Sequence, residues 1–215
     1  MSIAAALEID PDLTGIVRPG ALWWDGATVV ERSADLDAQL ADAERRLRAH
    51  PPDPSATVRT MYRRVGIDPT KVRPSSEALL RRVRKGEPLP RINTMVDVVN
   101  WCSVEFQLPY GLYDRAALRG AVGMRLGREG ETYPGIRKDE VHLAGRITVA
   151  DEAGPFGNPT ADSARTMVTT TTRQALVVVY APAQTPAEVL RRALDETAAR
   201  LSRVCGGREA GRWPA

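Results

Sequence analysis

Arg64–Asp114 reads RVGIDPTKVRPSSEALLRRVRKGEPLPRINTMVDVVNWCSVEFQLPYGLYD, and this stretch decides the fold. Ser75 is a helix N-cap residue type, Glu77 suits the first turn of a helix, and Gly86 stops it, so a helix is expected from Ser75 through Lys85. Pro88-Leu89-Pro90 then joins it to residues 92–106, INTMVDVVNWCSVEF, the most apolar helical run of the chain. Asp97 and Asn100 interrupt that run at i, i+3 spacing and share a face, with Asn93 one turn earlier. Polar groups on a buried face need partners. Either they bond neighbouring backbone and fix the loop at Arg73–Ser76 or Arg91, or Asn93 or Asn100 lines a binding hollow.

Working outward, residues 13–31 read as short strands broken at Pro19-Gly20 and Asp25-Gly26. Ser33 or Asp35 caps a helix to about Ala49 with Leu36, Leu40, Ala43 and Leu47 on one stripe. A second helix runs roughly from Ser55 to Val65 and ends at Gly66. After residue 106 the pattern shifts to strands around 110–126, 141–150, 165–170 and 174–181. Pro186 opens a last helix to about Val204, with Val189, Leu190, Ala193, Leu194, Thr197, Leu201 and Val204 as its buried face. The tail GGREAGRWPA is expected to be loose. Helices mainly in the first half and strands mainly in the second predict an α/β protein, one compact domain with helices packed on sheet.

The chain has 215 residues, enough to bury a full core unaided. Aromatics are only 5%, which argues against a row of base-stacking platforms. Two distant cysteines, Cys102 and Cys205, imply reduced thiols and a cytoplasmic setting. The first residues lack the basic and apolar regions of a signal peptide, and no stretch approaches a membrane span, so no membrane partner is expected. Net charge is +3, but residues 59–91 hold ten Lys/Arg against three acids, a local +7 that leaves −4 elsewhere. Such a segment is either a solvated helix surface or a face for an anionic polymer such as RNA.

Metal ligation is not expected, because His50 and His142 have no ligating neighbour at suitable spacing. His50 falls at a helix C-terminus and His142 on a strand surface. No phosphate-binding glycine motif and no nucleophile elbow is present, and Gly127–Gly130 reads as a turn. No cofactor is implied. A second unusual segment is Gly154–Thr172, GPFGNPTADSARTMVTTTT, too polar for a core strand and too long for a hairpin turn. Loops of this length are often functional, which makes Asp162, Ser163 and Thr166 candidate site residues, the alternative being an exposed, merely ordered loop.

Four short pieces in order carry a family resemblance. They are MVDVVNWCSVEFQLPYGLYD (95–114), GAVGMRLGREGE (120–131), ITVAD (147–151) and the Thr-rich segment Val168–Leu176. Together they resemble the B3/B4 domain of the phenylalanyl-tRNA synthetase beta subunit, over roughly residues 60–182. Tyr62–Asn93 is similar to the signature of free-standing relatives; residues 1–60 and the helix 186–204 belong to that free-standing type, and 205–215 is a tail. The resemblance implies a layered ββα sandwich with mixed sheets. It also implies the family's activity class, hydrolysis of wrongly charged aminoacyl-tRNA. Two family site residues differ here: a His in the loop after the long helix falls on Gly111, and a Glu falls near Ala164, within two residues of Asp162.

What the resemblance leaves is a constellation of its own. Asp162 would orient water or the amino group, and Ser163 and Thr166 would bond the acyl end, as the catalytic set. Asn93 and Asn100 would orient the substrate, Ser75 would assist them, and Arg73 and Arg91 would take phosphate. Positioning of an already activated ester can supply much of the rate. Three functions stay open: a deacylase acting on aminoacyl-tRNA, a non-catalytic tRNA- or RNA-binding module (no DNA partner is expected), and a protein that binds a free amino acid. Sequence leaves the amino acid, the tRNA and the oligomeric state undetermined.

Overall fold

The structure is a computed structural model, and it describes residues 6–136 and 140–214. The strands are β1 (Leu7–Ile9), β2 (Val17–Asp25), β3 (Tyr110–Asp114), β4 (Val122–Leu126), β5 (Thr132–Pro134), β6 (Glu140–His142), β7 (Ile147–Asp151), β8 (Gly154–Gly157), β9 (Gln174–Pro182) and β10 (Arg208–Trp213). The helices are α1 (Ala34–Ala49), α2 (Ala56–Arg64), α3 (Ser75–Arg84), α4 (Thr94–Phe106) and α5 (Ala187–Cys205). One sheet has the order β1-β4-β7-β8, with β1 parallel to β4 and the remaining pairs antiparallel. A second, antiparallel sheet has the order β10-β2-β9-β3, and β5-β6 form a small ribbon.

Side-chain alternation along β3 shows how the layers stack. Tyr110 points to α5, its hydroxyl 3.3 Å from that of Thr197, and Tyr113 points the other way to meet Phe156 of β8 edge-on, ring centroids 4.8 Å apart. Helices α4 and α5 therefore cover one face of the second sheet, and the first sheet covers the other. This is the expected layered ββα sandwich. β9 (QALVVVYAP), buried from Ala175 to Pro182, reads as an unbroken apolar run because both its faces lie inside.

Two serines act as helix caps and the apolar stripe of α1 is where it was expected. Ser33 caps α1 through Leu36 N–H at 3.3 Å, Ser55 caps α2 through Val58 N–H at 3.2 Å, and the stripe Leu36, Leu40, Ala43 and Leu47 is buried. His50 lies at the C-terminus of α1, and His142 is exposed on β6. Four expectations are corrected. Pro19-Gly20 does not break β2: Tyr180 N–H, opposite Pro19, donates to Pro109 O just before β3, so the donor Pro19 lacks would face outward, beyond the end of β10 at Ala21. Gly20 is there for α5, since a Cβ on it would lie 2.9 Å from Leu190 Cδ1. The tail is ordered as β10, pairing with β2 from Ala21 to Asp25. Residues 165–170 form no strand; Ala164–Thr166 is a single 3-10 turn, followed by the Thr-rich turn. Finally, α5 turns Val189 outward and buries Arg200, whose guanidinium lies 3.9 Å over the Trp101 ring and 2.7 Å from Glu105.

Candidate functional site

The polar interruptions at the start of α4 are explained by backbone capping. Asn93 is the N-cap: its Oδ1 accepts from Val96 N–H at 3.0 Å while its Nδ2 donates to Val168 O at 3.2 Å. Asp97 reaches back and accepts from Ile92 N–H at 2.8 Å. These bonds fix the entry to α4 and tie it to the long loop after β8. At the other end, Gln107 takes the left-handed conformation (φ 52°) and Ser103 Oγ donates to Leu108 O at 2.7 Å, turning the chain into β3.

The loop is held at several of its polar positions. Tyr62 Oη and Ser75 Oγ both donate to Pro159 O, at 3.0 and 3.3 Å. Asn158 accepts from Thr160 N–H and Ala161 N–H and donates to Tyr133 Oη at 2.9 Å. Arg165 forks onto Asp151 at 2.8 and 3.0 Å, and Thr172 Oγ1 donates to Asp114 at 2.6 Å. A loop anchored this way is a fixed wall.

Between that wall and α4 lies a hollow of about 310 Å³. Its sides are Ile92, Val96, Val99 and Asn100 of α4 and its lead-in, Tyr110 and Leu112 of β3, and Ile136, Asp162, Met167 and Val168. Ile92 and Met167 are 43% and 42% exposed, marking an apolar entrance. Two polar side chains face this greasy lining, Asn100 and Asp162. Few polar groups set in an apolar concavity are the usual make-up of a small-molecule site.

Asp162 is the unusual group. Its Oδ2 receives a long bond, 3.5 Å, from Leu112 N–H on the outer edge of β3, and its Oδ1 is sealed from solvent with no partner among the described residues. Burial pushes the carboxyl up to about 7, while the Tyr113 hydroxyl and the Leu112 N–H pull in the opposite direction. A carboxyl poised there can hold or release a proton near neutrality, which suits a general acid or base. Asn100, half-buried on the adjacent wall, can donate and accept.

The other residues singled out from the sequence are placed as follows. Ser163 is buried and caps the 3-10 turn, accepting from Arg165 N–H at 3.2 Å. Thr166 is fully buried with its hydroxyl 3.5 Å from Phe156 O. Ser75 is the first residue of α3 rather than its cap, which is Pro74. Arg73 lies 3.4 Å from Glu77, which also receives Arg59 at 2.5 Å. Arg91 is bound to Asp37 and Glu44, each at 3.0 Å, and donates to Leu89 O at 2.7 Å. Of the eight, the hollow brings together Asp162 and Asn100. Asn93 stands behind it through Val168, and the remaining five hold the frame. Sequence reading overlooked Tyr110 and Leu112, whose alternation after Pro109 was the available signal, and Met167, for which there was none. Among the described residues no cluster of metal-ligating side chains occurs, and no helix is long and apolar enough to cross a membrane.

The family model of the B3/4 domain matches residues 57–206. The chain belongs to the B3/4 domain family. The phenylalanine–tRNA ligase beta subunit of Brucella abortus is 34% identical over 83 residues, 38% of this chain and 10% of that protein. The corresponding subunit of Streptomyces avermitilis is 31% identical over 102 residues, 47% of this chain and 12% of that protein. The fold is also that of an N-terminal fragment of the phenylalanyl-tRNA synthetase beta subunit from Pyrococcus horikoshii, with a TM-score of 0.53 at 14% identity over 95% of this chain and 50% of that one. This B3/4 domain thus spans roughly a tenth of the curated proteins it resembles. The matched region includes α4, the long loop and every side chain of the hollow.

Proposed function

We propose that this chain is a cytoplasmic tRNA-associated B3/4 domain that hydrolyses the ester of an aminoacyl-tRNA. The observation that carries the reading is the Asp162 carboxyl, sealed at one oxygen and raised to about 7, in a hollow of about 310 Å³ with otherwise apolar walls. The aminoacyl group enters past Ile92 and Met167. Asp162, ionised, takes a proton from water as the water oxygen attacks the ester carbonyl carbon. The bond from that carbon to the terminal ribose oxygen breaks, and the ribose oxygen takes the proton back. Asn100 orients the amino acid. Ser163, Thr166 and Asn93 serve by holding the loop and the helix entry, and positioning supplies much of the rate.

The polynucleotide would lie along α2 and α3. Arg63, Lys71, Arg81 and Lys85 are exposed there, and among the described residues none of them has an acidic partner within ion-pair distance. Arg91, with two carboxylates around it, is assigned to the scaffold. The N-terminus of α3 abuts the loop through Ser75, so these cations lead toward the hollow over the length of one helix, roughly 15 Å.

The test is a panel of aminoacyl-tRNAs incubated with the intact protein and with Asp162→Asn. Release of an amino acid by the wild type and a loss of roughly 100-fold or more in the variant is the expected result. Equal release by both overturns the role of Asp162. Retention of tRNA without release makes the chain a binding module. A melting temperature raised by a free amino acid, with neither effect on tRNA, makes it an amino-acid-binding protein.

A further inference from the structure

Glycines on two strands open a space that one phenol fills. A Cβ on Gly111 of β3 would overlap the Tyr113 hydroxyl, and a Cβ on Gly157 at the end of β8 would overlap it from the other side. The ring is fully buried, locked edge-on against Phe156, and its hydroxyl sits 2.7 Å from that of Tyr180 on β9. Each phenolic hydroxyl taken from water must find a partner, and here each is the other's. If Tyr180 donates to Tyr113, the Tyr113 proton is left for a third group. Asp162 offers the matching acceptor, a sealed Oδ1 with no hydrogen-bond partner among the described residues, on a side chain whose other oxygen already meets Leu112 N–H, next to Tyr113, at 3.5 Å.

We infer that Tyr113, backed by Tyr180, is a positioning residue for Asp162: the phenol occupies the slot left by Gly111 and Gly157 and presents its proton to the buried carboxylate oxygen. This rests on the deacylase reading for its purpose, though not for its geometry. The titratable groups that face Asp162 are Tyr113 from β3, Tyr180 from β9 and Tyr133 from β5, and Arg146 acts on Tyr133 from the turn before β7. All three tyrosines stay neutral through the working range and do not compete with the carboxylate for charge, and the Tyr133 proton is committed to Ala161 O at 2.5 Å. The Tyr113 donor favours the ionised form and makes Asp162 available as a base at a lower pH than burial alone would allow.

The experiment is a pH titration of the Asp162 side-chain carboxyl by carbon-13 NMR in the intact protein, in Tyr113→Phe and in Tyr180→Phe, alongside the deacylation rate at each pH. Tyr113→Phe should raise the midpoint by roughly one pH unit, the worth of one hydrogen bond to a charged group. Tyr180→Phe should move it the same way by less. The rate below the midpoint should fall roughly 10-fold in Tyr113→Phe and recover toward the wild-type plateau at higher pH, a change that a merely structural role would not produce. A midpoint unmoved in a folded Tyr113→Phe protein overturns the inference, and if that variant does not fold, an unmoved midpoint in Tyr180→Phe does so. A midpoint that moves in a protein that deacylates nothing leaves the positioning role intact and removes the deacylase reading.

Discussion

Replacing Asp162 by Asn should stabilise the protein relative to the wild type in a way that depends on pH. The carboxyl ordinarily titrates near 3.8 and is held at about 7 in the fold. Between those values the unfolded chain binds fewer protons than the native one, so stability falls as pH rises through this window and levels off above it. The linked cost is on the order of 4 kcal/mol once both states are ionised. Part is already present at pH 5, so on the order of 3 kcal/mol develops between pH 5 and pH 8. Asn at this position does not titrate. Whatever fixed penalty its amide carries is the same at both pH values and cancels when the two differences are compared. Urea unfolding of both proteins at pH 5 and pH 8 measures this directly, and the variant should gain on the wild type by about 3 kcal/mol, or roughly 6–12 °C in melting temperature for a domain of this size. A stability difference that is the same at both pH values would refute the claim that the Asp162 carboxyl, sealed at Oδ1, titrates near neutrality.

Asn93→Ala removes the cap on Val96 N–H and the bond to Val168 O, and thermal melts should show a loss of about 1–2 kcal/mol, with faster amide exchange in the 158–172 loop. Gly20→Val drives a branched side chain into Leu190 and Leu194 of α5; a destabilisation of about 1–3 kcal/mol is expected in chemical denaturation, and none would mean that α5 does not sit this close to β2. Deleting residues 208–215 strips β10 from β2 and bares the edge of Ala21–Asp25, so light scattering should report self-association that the full chain does not show.

The frame of this fold is written locally. Ser33, Ser55 and Asn93 each precede a helix that their own side chains cap, and the i, i+3, i+4 stripe of α1 is its buried face. Asp97 looked anomalous in an apolar helix because its partner, Ile92 N–H, is a backbone group that the residue pattern does not display. What escaped reading is what depends on distant pairing. β10 looks like a loose Gly-rich tail until β2 supplies a partner, and Pro19 looks like a strand breaker until it is known which edge of β2 is open at that point. The site shows the same division. The long polar loop and Asn100 announced themselves, and Asp162 could be singled out as a carboxylate in an odd setting. The Tyr113–Tyr180 pair could not, because residues 67 positions apart meet only when β3 and β9 align. The basic segment 59–91 misled in part: its charge count is real, but Arg59, Arg73 and Arg91 are spent on Glu77, Asp37 and Glu44.

The pH profile of single-turnover deacylation, on whichever aminoacyl-tRNA the protein cleaves, bears most directly on the hollow and its carboxyl. A rate that climbs with pH to a plateau with its midpoint near the Asp162 value of about 7, and a limb that vanishes in Asp162→Asn, is the result expected of a base in that position. A profile that runs parallel in the two proteins, or rises only with hydroxide, would contradict it.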